Sequence, residues 1–210
     1  EKELIKSIDS IIHQVDEVNV ALNGYNLLSY QNLIRIFPTV FFVCTDNSKG
    51  DAEKFRWVQY EDGYYLTGDD DLIYPPTYVE DTIKEVDKYG VVSYHGRSFM
   101  KFPIDSYYKS PAVRNRCLAE YKYTEPVQIA GTGVMAFHTD KFKPPFSIFK
   151  KSNMADIWVS CYAKEQGIKI WGLKHSATYF KYMEVPNTIY EDKVNECGYE
   201  TTIVNKYFNK

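Results

Sequence analysis

Residues 39–44, Thr-Val-Phe-Phe-Val-Cys, form an unbroken run of β-branched and aromatic side chains. Such a run reads as a short strand covered on both faces, the kind that a parallel sheet holds between helices. Upstream, residues 3–13 space Leu4, Ile5, Ile8, Ile11 and Ile12 along one helical face, and residues 17–22 alternate as a strand until Asn23-Gly24 stops it. Downstream, the pattern predicts a helix over 51–60 and a strand over 63–67, followed by an acidic turn. Pro75-Pro76 delays the next helix, which runs to Tyr89 with Gly90 as its cap, and a strand follows at 91–94.

Residues 98–125 read as loop with one short helix. Strands at 127–130 and 134–137 flank the turn Gly131-Thr132-Gly133. Ser152 or Asn153 is expected to cap a helix that Gly167 ends, a last strand covers 168–173, and the tail after Thr188 carries one more helix. This alternation predicts an α/β fold, a single domain over 1–210 with a mainly parallel central sheet flanked by helices.

A net charge of −3 with scattered Lys and Arg excludes the basic stripe that a nucleic-acid surface needs. Cys44, Cys117, Cys161 and Cys197 lie far apart without a C-x-x-C, which points to reduced thiols and a cytoplasmic location rather than a zinc knuckle or disulfide framework. No apolar run approaches the roughly 20 residues that span a bilayer, so a soluble chain without a transmembrane segment is expected. The 19 Tyr and 12 Phe fill core and rim, and such rings also stack on sugar faces.

Asp69-Asp70-Asp71 follows directly on a predicted strand, and in an open α/β sheet ligands sit at the carboxyl ends of strands. In an extended segment Asp69 and Asp71 face one way and Asp70 the other. Two carboxylates on one side suit a hard divalent cation that keeps open positions for water and phosphate. The plain alternative is a solvated acidic loop or a helix N-terminus, against which the apolar neighbours Tyr64, Tyr65, Leu66, Leu72 and Ile73 argue.

With these motifs the sequence resembles the nucleotide-sugar glycosyltransferases of the GT-A fold, especially family 2-like enzymes of bacteria and large DNA viruses. The resemblance rests on EKELIKSIDSIIHQVDEVNVALNGY, GDAEKF, GYYLTGDDDLIYP as the D-x-D metal motif, GTGV as the donor-sugar loop and NMADIW at the helix of the catalytic base. It implies Mn²⁺ or Mg²⁺ held by Asp69 and Asp71 with His175 as a further ligand. It also implies a donor site of Asn23, Lys54, Asp69, Asp70, Gly131, Thr132, Gly133 and Lys181, with Asp156 as the base of an inverting transfer.

Such enzymes begin with a nucleotide-binding strand that would precede residue 1, so a trimmed chain, and one belonging to a longer polypeptide, is expected. The implied partners are a nucleotide sugar, UDP-sugar first, and a carbohydrate or other hydroxyl acceptor. Each residue has a plainer reading: Asn23 favours a turn with Gly24, Lys54 and Lys181 are surface lysines, and Asp156 complements a helix dipole. His95, His138 and His175 are structural histidines on that reading, and Asp46, Asp51 and Glu61 stand as alternative bases. A retaining enzyme of the same fold, a nucleotidyltransferase, and a non-catalytic sugar-binding module with structural calcium compete with the leading assignment.

Overall fold

The computed structural model describes residues 1–184 and 197–209. Its strands are β1 Asn19–Asn23, β2 Phe41–Thr45, β3 Tyr64–Gly68, β4 Leu72–Ile73, β5 Val91–Ser93, β6 Gly96–Phe99, β7 Ala112–Asn115, β8 Glu125–Val127, β9 Ile129–Ala130, β10 Val134–His138, β11 Ile170–Gly172 and β12 Lys181–Tyr182. The helices are α1 Lys2–Ile11, α2 Leu27–Ile36, α3 Tyr78–Tyr89, α4 Ala155–Glu165 and α5 Gly198–Phe208. None of the described helices is long and apolar enough to cross a membrane.

β1 and β2 pair in parallel and pack with α1 and α2 around Leu4, Ile8, Leu22, Leu33 and Phe42. The connecting α2 escaped the sequence reading; its N-terminus is capped by the Asn26 side chain, which accepts the Ser29 N–H. β2 is not covered on both faces as its composition suggests: Phe42 is buried, but Phe41 is 56% exposed and Cys44 is exposed as well.

β10 is covered on both faces. Its alternation sends Met135 and Phe137 into one core, with Phe55, Phe142, Met154 and Ile157, and Val134 and Ala136 into another, with Tyr74, Tyr78, Tyr94 and Phe180. β10 sits second in a five-stranded sheet of order β3-β10-β5-β11-β8. Only β5 and β11 in that sheet run parallel; the other three pairings are antiparallel. The expected mainly parallel sheet is therefore corrected to a mixed one. Short apolar runs report burial but carry no direction, so the sequence could not show that β10 runs back between two strands.

The strands around Gly131-Thr132-Gly133 also do not pair with each other. β9 joins β6 and β7 in a three-stranded ribbon, and the turn carries the chain from that ribbon into the main sheet. The ribbon replaces the short helix expected in 98–125, and a 3₁₀ turn, Gly50–Phe55, replaces the first half of the helix expected over 51–60. α3 ends as read, with Gly90 at φ +86. Neither Ser152 nor Asn153 caps α4; a carboxylate oxygen of Asp51 accepts the Ala155 N–H at 3.0 Å instead. The tail helix is α5, while the start expected for it after Thr188 lies outside the described residues.

The two parallel strands stand apart from the main sheet. Among the described residues β1 pairs only with β2 and β3 only with β10, and both border one cavity of about 830 Å³ whose lining includes Asn23, Lys54, Asp69 and Asp70.

The assignment of β10 rather than β2 as the covered strand gives a contrast. Phe137→Ala is expected to lower stability by about 3–5 kcal/mol in denaturant unfolding, whereas Phe41→Ser should stay within about 0.5 kcal/mol of the parent. Equal losses would contradict this placement.

Candidate active site

The site is built where β3 ends beside the start of β10. The register pairs Gly68 with Val134, which sets the next residue, Asp69, against Gly133. A Cβ on Gly133 would lie 1.9 Å from the Asp69 Oδ2, so only glycine permits this approach. The Asp69 backbone is pinned as well: its N–H donates to the Tyr74 hydroxyl oxygen at 2.8 Å, and Ser7 Oγ donates to its carbonyl at 3.0 Å. The Tyr74 hydroxyl in turn donates to the Gly133 carbonyl at 2.9 Å. One phenol thus ties the acidic turn to the glycine turn.

The Asp69 carboxylate receives the ammonium of Lys54, which reaches it from the 3₁₀ turn. Burial works against the charge of Lys54, but the carboxylates of Asp69 and Asp51 prevail and hold its pKa above the ordinary value. Asp51 lies close by. Its Oδ2 caps α4, its Oδ1 is buried without a hydrogen-bond partner, and burial pushes its pKa up to about 6 against the pull of Lys54.

Burial, then the charge of Asp69, raises the pKa of Asp70; burial, then Asp69 and Asp70, pushes that of Asp71 to about 6. Asp69 and Asp70 line the cavity, whereas the Asp71 carbonyl accepts the Met183 N–H at 2.8 Å. Asp69 and Asp71 share a second field: after burial, their charges help push the Cys117 thiol up to about 11. Asp69 is thus the member common to both sides of the turn.

Asn23 closes the far end of β1. Its amide nitrogen donates to the Gly50 carbonyl at 3.1 Å, and its Oδ1 accepts the Thr45 hydroxyl at 2.5 Å, so it ties β1 and β2 to the 3₁₀ turn while lining the cavity. Gly131 packs against His95, where a Cβ would come within 2.8 Å, and burial brings the His95 pKa down to about 4. Thr132 between the two glycines is buried. Lys181 is exposed on β12, opposite Ile73 just beyond the acidic turn.

Asp156 stands in the first turn of α4. Its Oδ1 accepts the Ile157 N–H at 2.8 Å, its Oδ2 accepts the Tyr107 hydroxyl at 2.6 Å, and burial raises its pKa. The charge of Lys54 lowers the pKa values of Asp51, Asp70, Asp71 and Asp156 against burial, while its ammonium is paired with Asp69. Of the alternative bases, Glu61 lines the cavity and Asp46 is a turn residue that accepts the Ser48 N–H.

His175 lies elsewhere. Its Nε2 is 2.9 Å from the Asn115 Oδ1, its Nδ1 is 3.1 Å from the Ser176 carbonyl, and its backbone bridges to Tyr121. Among the described residues no group of three or more His, Cys, Asp and Glu converges as a ligand set. Asp69, Asp70 and Asp71 act on one another through charge, Asp69 raising the pKa of both neighbours after burial, without forming such a set. Carboxylate oxygens are the donor type that Mg²⁺ or Mn²⁺ takes, with water or phosphate oxygens in the remaining positions. Asp51, Tyr107 and Arg97 belong to the site and carried no decisive sequence signal, because each acts through a partner distant in the chain.

Among solved structures this fold has a counterpart. The particular structure that shows it is the crystal structure of S. aureus TarS, which matches 100% of this chain with a TM-score of 0.50 and 13% identity. The chain spans 41% of the length of TarS, and a likeness at this identity shows the fold alone. No family model and no curated protein matches the sequence.

The raised pKa of Asp51 fixes the sign of a pH effect. Its folded pKa of about 6 exceeds the ordinary 3.8, so its contribution to stability is fully present below pH 3.8 and is lost as pH rises through about 6. Asp51→Asn keeps the shape and removes the titration. Its stability relative to the parent should rise between pH 4 and pH 7 by at most about 3 kcal/mol, read from urea unfolding at each pH. A pH-independent difference would contradict the burial of this carboxylate.

Proposed function

We propose that this chain is a metal-dependent glycosyltransferase domain that moves a sugar from a nucleoside diphosphate donor, UDP-sugar first, to a hydroxyl of a carbohydrate acceptor with inversion. The observation that carries the reading is the meeting of Asp69 and Gly133 at the carboxyl end of β3, with the Lys54 ammonium paired to Asp69. The fold shared with TarS supports glycosyl transfer in general.

In this reading the ammonium of Lys54 and the backbone of Gly131, Thr132 and Gly133 hold the donor diphosphate and sugar. Asn23 offers a neutral hydrogen bond to the nucleoside, and exposed Lys181 adds positive charge near the leaving group. Asp69 and Asp71, with Asp70 beside them, would hold Mn²⁺ or Mg²⁺. That ion supplies Lewis-acid neutralisation of the diphosphate as its charge grows. His175 would join this set only by releasing Asn115 from Nε2 or the Ser176 carbonyl from Nδ1.

Asp156 takes the proton of the acceptor hydroxyl. The acceptor oxygen bonds to the anomeric carbon while the bond from that carbon to the phosphate oxygen breaks, and the electron pair leaves with the diphosphate.

Asp71→Asn is expected to abolish Mn²⁺-dependent binding of UDP in calorimetry with little change in melting temperature, and Asp69→Asn to abolish it with a lowered melting temperature as well, because it leaves the buried Lys54 ammonium without its partner. Unchanged binding in both would remove the metal from the proposal. A sugar-binding module would show no response to UDP at all.

Asp156→Asn should lower transfer by roughly 10²–10⁴-fold while leaving donor affinity near the parent value, since a base acts on the acceptor. Near-normal transfer would exclude Asp156 as the base and with it the inverting mechanism.

A further inference from the structure

We propose that Tyr107 is a positioning residue for Asp156, held in place by Arg97 and α5, and that it keeps the Asp156 carboxylate ionised and aimed for proton transfer. This inference rests on Asp156 acting as the base.

Asp156 sits where a carboxylate can turn back onto its own helix, and its Oδ1 does so, at 2.8 Å from the Ile157 nitrogen. Its direction is therefore set by whatever takes the other oxygen, and that is the Tyr107 hydroxyl at 2.6 Å. Tyr107 stands in the loop between β6 and β7 and is 2% exposed. A buried phenol in this position could be replaced in volume by phenylalanine, so the hydroxyl serves its partner rather than the packing.

The loop that carries Tyr107 is fastened from outside. Its N–H donates to Thr201 Oγ1 at 3.0 Å, and the Asn205 side chain both accepts the Ile104 N–H at 2.7 Å and donates to the Ile104 carbonyl at 2.8 Å. Both partners come from α5. From β6, Arg97 donates Nη1 to the Tyr107 carbonyl at 2.6 Å and lays its guanidinium 4.3 Å above the Tyr107 ring. The ring is thus fixed through its backbone on one side and its face on the other.

The charges around Asp156 explain what such a clamp achieves. Burial raises its pKa, while the hydroxyl of Tyr107 and the positive charges of Arg97 and Lys54 lower it. The Asp51 carboxylate from the 3₁₀ turn opposes them, and the side chains of Tyr108 and, on α4 itself, Cys161 also lie within its field. A donated hydrogen bond stabilises the anion and leaves the acid form without an equivalent partner. Without the Tyr107 hydroxyl, Asp156 holds its proton to higher pH and loses its fixed direction.

The test is Tyr107→Phe, with two readouts. In carboxyl ¹³C NMR, which needs no turnover, the Asp156 titration midpoint should move to higher pH by about one unit, equivalent to a tenfold change in its ionisation constant. In sugar transfer from a UDP-sugar, the acid limb of the pH profile should move the same way. Below that limb kcat should fall about tenfold, while KM for the donor stays at the parent value. Arg97→Lys keeps the charge but cannot fork or stack, and should move the limb in the same direction by less; this variant decides the matter if Tyr107→Phe does not fold. An unmoved midpoint and limb, with Asp156→Asn inactive, would overturn the role of Tyr107 and leave the base intact. Full transfer by Asp156→Asn would instead overturn the base assignment and this inference with it.

Discussion

The antiparallel pairing of β10 with β3 is the constraint on which the site depends. Because Val134 lies opposite Gly68, the chain leaving β3 and the chain entering β10 meet at one point, with Asp69 on one and Gly133 on the other. The contact tolerates no side chain at Gly133, and Tyr74 bridges both backbones through its hydroxyl. A slip of one residue would turn every side chain of β10 to the opposite face and exchange the contents of the two cores it feeds. The packing of Met135 and Phe137 on one side, and of Val134 and Ala136 on the other, therefore enforces the register that places the carboxylate.

Around that contact the electrostatics are those of a crowded, partly buried acidic site. Asp51, Asp70, Asp71 and Asp156 all have their pKa values raised, with burial as the first cause in each, and Lys54 is the cation common to them. Charges brought out of water are tolerated only when paired or hydrogen-bonded. Asp69 meets that condition with Lys54, and Asp156 meets it with Tyr107. Asp51 meets it on one oxygen only, which leaves a buried polar atom facing the same group of charges.

Much of the framework was legible from residue order. The periodicity of α1, the strands β1 and β3, the helix α3 with Gly90 as its stop, and the helix α4 with Gly167 as its stop are all where hydrophobic spacing and glycine placement put them. These are local effects, since amphipathic spacing and positive φ act over a few residues. The acidic turn was legible for the same reason, as three carboxylates between two apolar stretches. α2 was missed because its capping signal at Asn26 precedes residues that leave only Leu33 fully buried.

What residue order alone determined is thus the set of elements, the stops between them and the presence of a dense acidic turn at the end of a strand. What only the tertiary structure decided is direction and partnership. It decided that the main sheet is mixed, that β10 rather than β2 is covered on both faces, and that Asp51 caps a helix about a hundred residues further along the chain. It also decided that Lys54 meets Asp69 and that Tyr107 meets Asp156. The physical reason is that strand direction and ion pairing are contacts between segments far apart in sequence, whose energies depend on distance and burial. A linear pattern records neither of these quantities.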